Sequence, residues 1–320
     1  MRLRTVAVAT LLLAAACGGS SPPNASPRDD VTLVLDWVPN PDHVGIYSAM
    51  DEGFFARNGL TVTPRPPSGV SDALTLVGAG RADVGISYEP ELFFAQEHHA
   101  PVAAVATVVP TALASIIAAG SSGIQSPADL RGKTIGVDGT QSTAAFVDKV
   151  LASAGLGAGD VHLVDVKFNQ VPALLGHKVD AVAGVFQNIE GVLFAMRGLH
   201  PVVFPYDRYG VPPYDELVVV ANADRLRDDT AYRATVRRFV AGLAAGTDWA
   251  KAHPDAAVAV MRAHSADDYK NVLEQSVPAT LRLLGTGPPP EVAWARFGAW
   301  MFRSGLLDAK PDAAALIAQP

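Results

Sequence analysis

Cysteine is nearly absent: the 320 residues contain one, Cys17. With that residue set aside, no thiol remains for a disulfide framework, a metal site or a nucleophile. Aromatic residues make up only 7% of the chain, so each one outside a core pattern carries extra weight. Basic residues are outnumbered, 25 against 32 acids for a net charge of −7, which speaks against a nucleic-acid partner. The sequence has no P-loop, Gly-rich dinucleotide fingerprint or Ser/His/Asp ordering. It has no internal repeat either. His98 and His99 form a pair without matching partners. No metal, cofactor or catalytic group is therefore expected.

The chain does have length and apolar content. At 49% hydrophobic residues it can build two ordinary domains or one large one. The first segment stands apart from the fold. Met1-Arg2-Leu3-Arg4 is basic, residues 5–13 are apolar, and Ala14-Ala15-Ala16 lead to Cys17. That is a secretory signal, too short to span a bilayer. Small residues before a cysteine resemble the lipobox of bacterial lipoproteins. This implies removal of residues 1–16, lipidation of Cys17 and anchoring at an extracytoplasmic membrane surface. The plainer alternative is an ordinary signal with an incidental cysteine. Residues 17–30 are rich in Gly, Ser and Pro and read as a flexible tether.

From residue 31 strand and helix patterns alternate steadily, which predicts an α/β architecture. Strands are expected at 31–36, 60–64, 81–87, 102–108, 134–137, 161–166, 179–185, 202–204 and 216–221, with a further apolar run at 114–119. Between them lie helical patterns at 44–58, 70–79, 89–98, 142–153, 171–176 and 189–197. From residue 223 the pattern is helical, at 230–251, 253–264, 266–284 and 290–304, with a weakly ordered end at 309–318. Stretches 110–123 and 210–214 mix Pro, Gly and small residues between apolar strands. If both are hinges, one lobe holds 31–110 and 216–320 and the other 120–210.

The candidate site residues sit where strands give way to helices, the place where open α/β sheets collect ligands. Asp36-Trp37-Val38-Pro39-Asn40 follows the first strand and leads to His43. Trp37 is read as a wall for a flat ring, Asp36 as an acceptor for an exocyclic amine, and Asn40 and His43 as further contacts. A core role for Tyr47 is as plausible as a cleft role. Ser87-Tyr88-Glu89 closes the third strand, which makes Tyr88 a second stacking candidate and Glu89 a helix cap. Asp138-Gly139-Thr140-Gln141-Ser142 precedes a helix whose start suits either plain capping or an anion. Phe186-Gln187-Asn188-Ile189-Glu190 ends another strand. Asn188 and Glu190 are candidates there, each with a capping alternative. Tyr209 and Tyr214, at the second hinge candidate, are further ligand-site candidates, with hinge packing the alternative for Tyr214. Trp249, Trp294 and Trp300 fall in helical patterns and read as core.

The run Asp36-Trp37-Val38-Pro39-Asn40, with His43-Val44-Gly45-Ile46-Tyr47, Gly53-Phe54-Phe55 and Asn58-Gly59-Leu60, resembles the opening of one group of extracytoplasmic solute-binding proteins. That group serves ABC importers of thiamine pyrimidine precursors, and it is similar to pyrimidine-precursor synthases and riboflavin-binding proteins. The resemblance implies a two-lobed type II periplasmic-binding fold whose cleft closes over a small heterocycle. It also implies an ABC permease as partner and a monomer. In that group an acid at the position of Glu190 reads the aminopyrimidine edge. Riboflavin, or a sulfonate- or nitrate-like anion, are the alternatives on the same fold. The corners carry Asp36, Glu89 and Glu190 rather than bases, which disfavours an anion. A synthase-like enzyme is the remaining alternative. As the resemblance implies, such enzymes use a cysteine cluster, a histidine and pyridoxal phosphate, and this chain has only Cys17.

Overall fold

The computed structural model describes residues 28–69 and 71–320. The signal segment, Cys17 and the tether up to residue 27 lie outside the described residues. In chain order the strands are β1 (Asp29–Val34), β2 (Leu60–Arg65), β3 (Val84–Ser87), β4 (Val102–Val109), β5 (Ala114–Ala118), β6 (Thr134–Val137), β7 (His162–Asp165), β8 (Ala181–Phe186), β9 (Val202–Pro205) and β10 (Leu217–Asn222). The first helices are α1 (Val44–Asp51), α2 (Phe54–Arg57), α3 (Asp72–Gly78), α4 (Glu89–Glu97), α5 (Gln141–Ser153), α6 (Gln170–Leu175) and α7 (Val192–Met196). After β10 come α8 (Ala223–Asp228), α9 (Thr230–Ala252), α10 (Pro254–His264), α11 (Leu273–Leu281) and α12 (Glu291–Arg303).

The strands form two five-stranded sheets, ordered β2-β1-β3-β10-β4 and β7-β6-β8-β5-β9. Both sheets follow one plan. Three parallel strands lie side by side, and an antiparallel strand is inserted next to the third. The inserted strands, β10 and β5, are those the chain reaches after leaving the other sheet. The chain thus passes between sheets twice, after Val109 and before Leu217. Glu216 ties the two passages together. Its Oε2 accepts from the Leu113 and Ala114 N–H groups and from the Tyr214 hydroxyl at 3.1 Å.

The elements depart from the expected pattern at identifiable residues. Strand β1 begins at Asp29, inside the stretch read as tether. The helix expected over 44–58 is two helices, because Gly53 adopts φ +72° and stops the first one. Pro64 is tolerated within β2 because that strand lies at a sheet edge. The helix expected over 189–197 starts as a π turn, Gln187–Gly191, before α7. The pattern at 266–284 splits into a 3-10 turn, Asp267–Val272, and α11.

The C-terminal helices do not stay with the first sheet alone. Tyr269 and Val272 join the apolar cluster built around Val182, Val185 and Leu193 of the second lobe. On α12, Phe297 packs against Phe93 of α4 and Phe146 of α5, with centroids 6.1 and 6.4 Å apart. The last residues also have a definite place. Ile317 bridges to Ala104 and Ala318 N–H donates to the Ala104 carbonyl, which covers an otherwise free edge at β4.

Candidate functional site

The loops that follow β1, β3, β6, β7 and β8 meet at one cavity. Its empty volume is about 490 Å3, the solvent at its mouth included. From the first sheet come Asp36, Trp37, Asn40 and Tyr88; from the second come Asp138, Thr140, Gln170, Gly184, Phe186 and Glu190. Tyr269 enters from the C-terminal turn. The carboxyl ends of parallel strands from both sheets thus face one space, as the rule for open α/β sheets requires.

Asp36 is held on both oxygens. Oδ1 lies 2.8 Å from His43 Nε2, and Oδ2 accepts from the Tyr88 hydroxyl at 3.0 Å. The Asn40 N–H donates to His43 Nδ1 at 3.3 Å, so the histidine carries its hydrogen on Nε2 and donates it to Asp36. His43 itself is wholly buried and does not line the cavity. It positions Asp36 from behind, a place unsuited to direct ligand contact. Asn40 shapes the corner as well. Its side chain accepts from Asp42 N–H and donates to the Val38 carbonyl, while one face remains at the cavity.

Trp37 meets Phe168 edge to face, with ring centroids 4.3 Å apart. Phe168 follows β7, so this contact runs from one lobe to the other. Tyr88 and Phe186 make a similar pair at 6.5 Å. Burial pushes the Tyr88 phenol well above its usual range, and the neighbouring Asp36 charge adds to this. The hydroxyl therefore remains a donor to Asp36 at any ordinary pH.

Glu190 lines the second-lobe wall. Its Oε2 accepts from the Phe186 N–H at 2.9 Å and its Oε1 from the Tyr269 hydroxyl at 3.0 Å. Burial raises its pKa, and those two hydrogen bonds oppose the rise. Asp138 is raised by burial too, against hydrogen bonds from Thr140 and Thr143. Gly184 makes room for it. A Cβ there would lie 2.3 Å from Asp138 Oδ2, and the residue sits at φ +75°.

The start of α5, an anion-binding candidate by sequence, is already supplied with oxygen atoms. Thr140 caps it by accepting from Thr143 N–H, and Ser142 N–H donates to Glu91 Oε1 of the first lobe at 3.0 Å. Those acceptors stand where an anionic ligand would have to bind. Glu89, expected to cap a helix, is instead buried, and its Oε2 accepts from Asp215 N–H.

Two further candidates lie off the main cavity. Asn188 is buried between lobes, where its amide donates to Asp42 Oδ1 and to Thr280 Oγ1, both at 2.7 Å. Tyr214 lines an adjoining chamber of about 320 Å3 with Asp138, Tyr206 and Glu216. Tyr47 is core, stacked on His264 at 4.4 Å. Thr107 donates to Asp215 in the interior.

Sequence reasoning missed Asp138, Gln170 and Tyr269 as wall residues. The strand-end rule would have reached Gln170, since β7 ends at Asp165 and α6 begins at Gln170. Gln170 is 2% exposed and its Oε1 has no hydrogen-bond partner among the described residues. Leaving a buried acceptor unpaired costs about 1–3 kcal/mol. Tyr269 carried no local signal, because it lies in a turn between helices 79 residues from its partner Glu190.

Two sheets of matching plan, joined by two passages and enclosing a polar-aromatic cleft, define a two-lobed binding protein of the type II periplasmic-binding fold. The solved alkanesulfonate-binding protein SsuA of Xanthomonas axonopodis pv. citri, bound to MOPS, has this fold. It superposes with a TM-score of 0.72 at 16% identity, over 92% of this chain and all of that one. Residues 40–257 match the family model described as NMT1/THI5 like, and the chain belongs to that family. It is 32% identical over 248 residues to a thiamine biosynthesis protein of Haemophilus influenzae, covering 78% of this chain and 77% of that one. It is 31% identical over 265 residues to the formylaminopyrimidine-binding protein of Halalkalibacterium halodurans, covering 81% and 79%.

Proposed function

We propose that the chain is the substrate-binding component of an ABC importer for a thiamine pyrimidine precursor, a formylated or hydroxymethyl aminopyrimidine. The protein captures the heterocycle and passes it unchanged to a permease. Export by the N-terminal signal and lipidation at Cys17 belong to the same reading, as does a monomeric state.

One observation carries the ligand assignment. The cavity wall offers acceptors, and its hydroxyl donors are engaged within the protein. Tyr88 donates to Asp36, Tyr269 to Glu190 and Thr140 to Asp138. Three carboxylates line the space with Gln170 beside them, and among the described residues no Lys or Arg lines it. A ligand that fits must bring N–H or O–H donors. An aminopyrimidine brings an exocyclic amine and a ring nitrogen that takes up a proton beside a carboxylate. A charged hydrogen bond of that kind contributes about 1.5–3 kcal/mol. A sulfonate or nitrate brings only acceptors. Trp37 and Tyr88 supply the aromatic surface a flat ring requires. The similarity to the Halalkalibacterium protein supports the same ligand class.

The test is thermal unfolding of the purified protein with formylaminopyrimidine, riboflavin or an alkanesulfonate. A ligand at about 100 times its dissociation constant adds roughly 2.7 kcal/mol of stability. The expected result is stabilisation by the pyrimidine alone. Stabilisation by riboflavin or the sulfonate, without the pyrimidine, would reassign the ligand.

A further inference from the structure

We infer that Gln170 is a ligand-reading residue of the second lobe, accepting a hydrogen bond from an N–H of the bound heterocycle. The inference deepens the proposed pyrimidine reading and rests on it.

Three observations converge. First, the Gln170 side chain lines the cavity from the start of α6. Second, the residue is 2% exposed, and its Oε1 is buried without a partner among the described residues. Burial of that kind persists where a ligand or an ordered water completes the bond. Third, the same corner carries Phe168, whose ring closes on Trp37 of the other lobe. Gln170 thus sits two residues from the contact that shuts the cleft. Its neighbours on the wall sharpen the chemistry. Asp36, Asp138 and Glu190 each accept at least two hydrogen bonds from protein groups. Gln170 Oε1 accepts none among the described residues, so it is the acceptor at this wall that the protein itself leaves unfilled. As a neutral carbonyl it takes an uncharged N–H, such as an exocyclic amine or a formamide, without adding a further charge to an acidic cleft. The carboxylates remain for the protonated edge.

The experiment compares the parent protein with Gln170→Met and Gln170→Glu. Affinity for formylaminopyrimidine is measured by calorimetry, and thermal stability is measured without ligand. Methionine keeps the volume and removes the acceptor; glutamate keeps an acceptor oxygen. The expected result is a loss of at least tenfold in affinity for Gln170→Met, with the unliganded protein as stable as the parent or more so. Gln170→Glu is expected to stay within about fivefold of the parent, since each factor of ten is about 1.4 kcal/mol and the acceptor is retained. Unchanged affinity for Gln170→Met in a parent that binds the pyrimidine would overturn this assignment alone. If the parent does not bind the pyrimidine, the function reading falls and this assignment falls with it. If Gln170→Met loses both affinity and unliganded stability while Gln170→Glu loses both equally, the residue is structural and the assignment is overturned.

Discussion

Trp37 and Glu190 reach the same cavity from different sheets, one as an apolar wall and one as a buried acceptor. Ring stacking on an indole contributes about 0.5–1.5 kcal/mol beyond burial. Neither side chain is needed to hold its own lobe together: Trp37 is half-buried at a corner, and Glu190→Gln keeps a carbonyl oxygen for the Phe186 N–H and offers the Tyr269 hydroxyl, which can turn to accept, an amide N–H. Trp37→Ala and Glu190→Gln are each expected to weaken aminopyrimidine binding by more than tenfold while circular dichroism and the unfolding midpoint stay near those of the parent. Unchanged affinity in both would remove them from the site. Gly184 is different in kind, because its role is steric. Gly184→Ala drives a methyl group into Asp138 at a left-handed backbone position and is expected to cost about 1–3 kcal/mol in denaturant unfolding. A cost near zero would mean that Asp138 has room to move. At this scale the sequence disclosed Asp36, Trp37, Tyr88 and Glu190 as wall residues because each follows a strand. His43 and Asn188 follow strands too, yet both turn inward to bond other polar groups, and one-dimensional spacing does not tell the two outcomes apart.

The corner after β1 and the π turn after β8 meet as a pair. Asp42 is 1% exposed, and burial pushes its pKa up to about 8, against the hydrogen bond from Asn188. Asp42 Oδ2 and Asn188 Oδ1 have no hydrogen-bond partner among the described residues. A proton on Asp42 removes a buried charge and makes its carboxyl a donor. The sign follows from linkage. A carboxyl whose folded pKa is raised binds its proton more tightly when folded, so its stabilising contribution is present at acid pH. The contribution is lost as pH rises from the usual value of 3.8 through about 8. Asp42→Asn makes both partners neutral at all pH values. It is expected to match the parent near pH 4 and to exceed it in thermal stability increasingly up to pH 8. A constant offset across that range would show that Asp42 ionisation is not coupled to folding. Element types were legible from alternation and from the long helical pattern at 230–251, which is α9. The breaks were less so. The π turn is set by Asn188 and Glu190 bonding to other segments, and the turn over residues 267–272 is set by Tyr269 reaching Glu190.

For the molecule as a whole, the alternation of strands and helices identified an α/β chain, and the resemblance of its opening motif supplied the two-lobed plan. Composition alone could not place residues 267–272 or α12 against the second lobe. Those contacts join segments more than 75 residues apart, through Tyr269 with Glu190 and Phe297 with Phe146. The central claim is that the cleft is an acceptor-rich site for a donor-bearing heterocycle. Calorimetric titration with hydroxymethyl aminopyrimidine and with its phosphate ester tests it most directly, since the ring is the same and only an anion is added. With Asp36, Asp138 and Glu190 on the wall and no Lys or Arg beside them among the described residues, the phosphate ester is expected to bind at least a hundredfold more weakly. Equal or tighter binding of the ester would contradict the account.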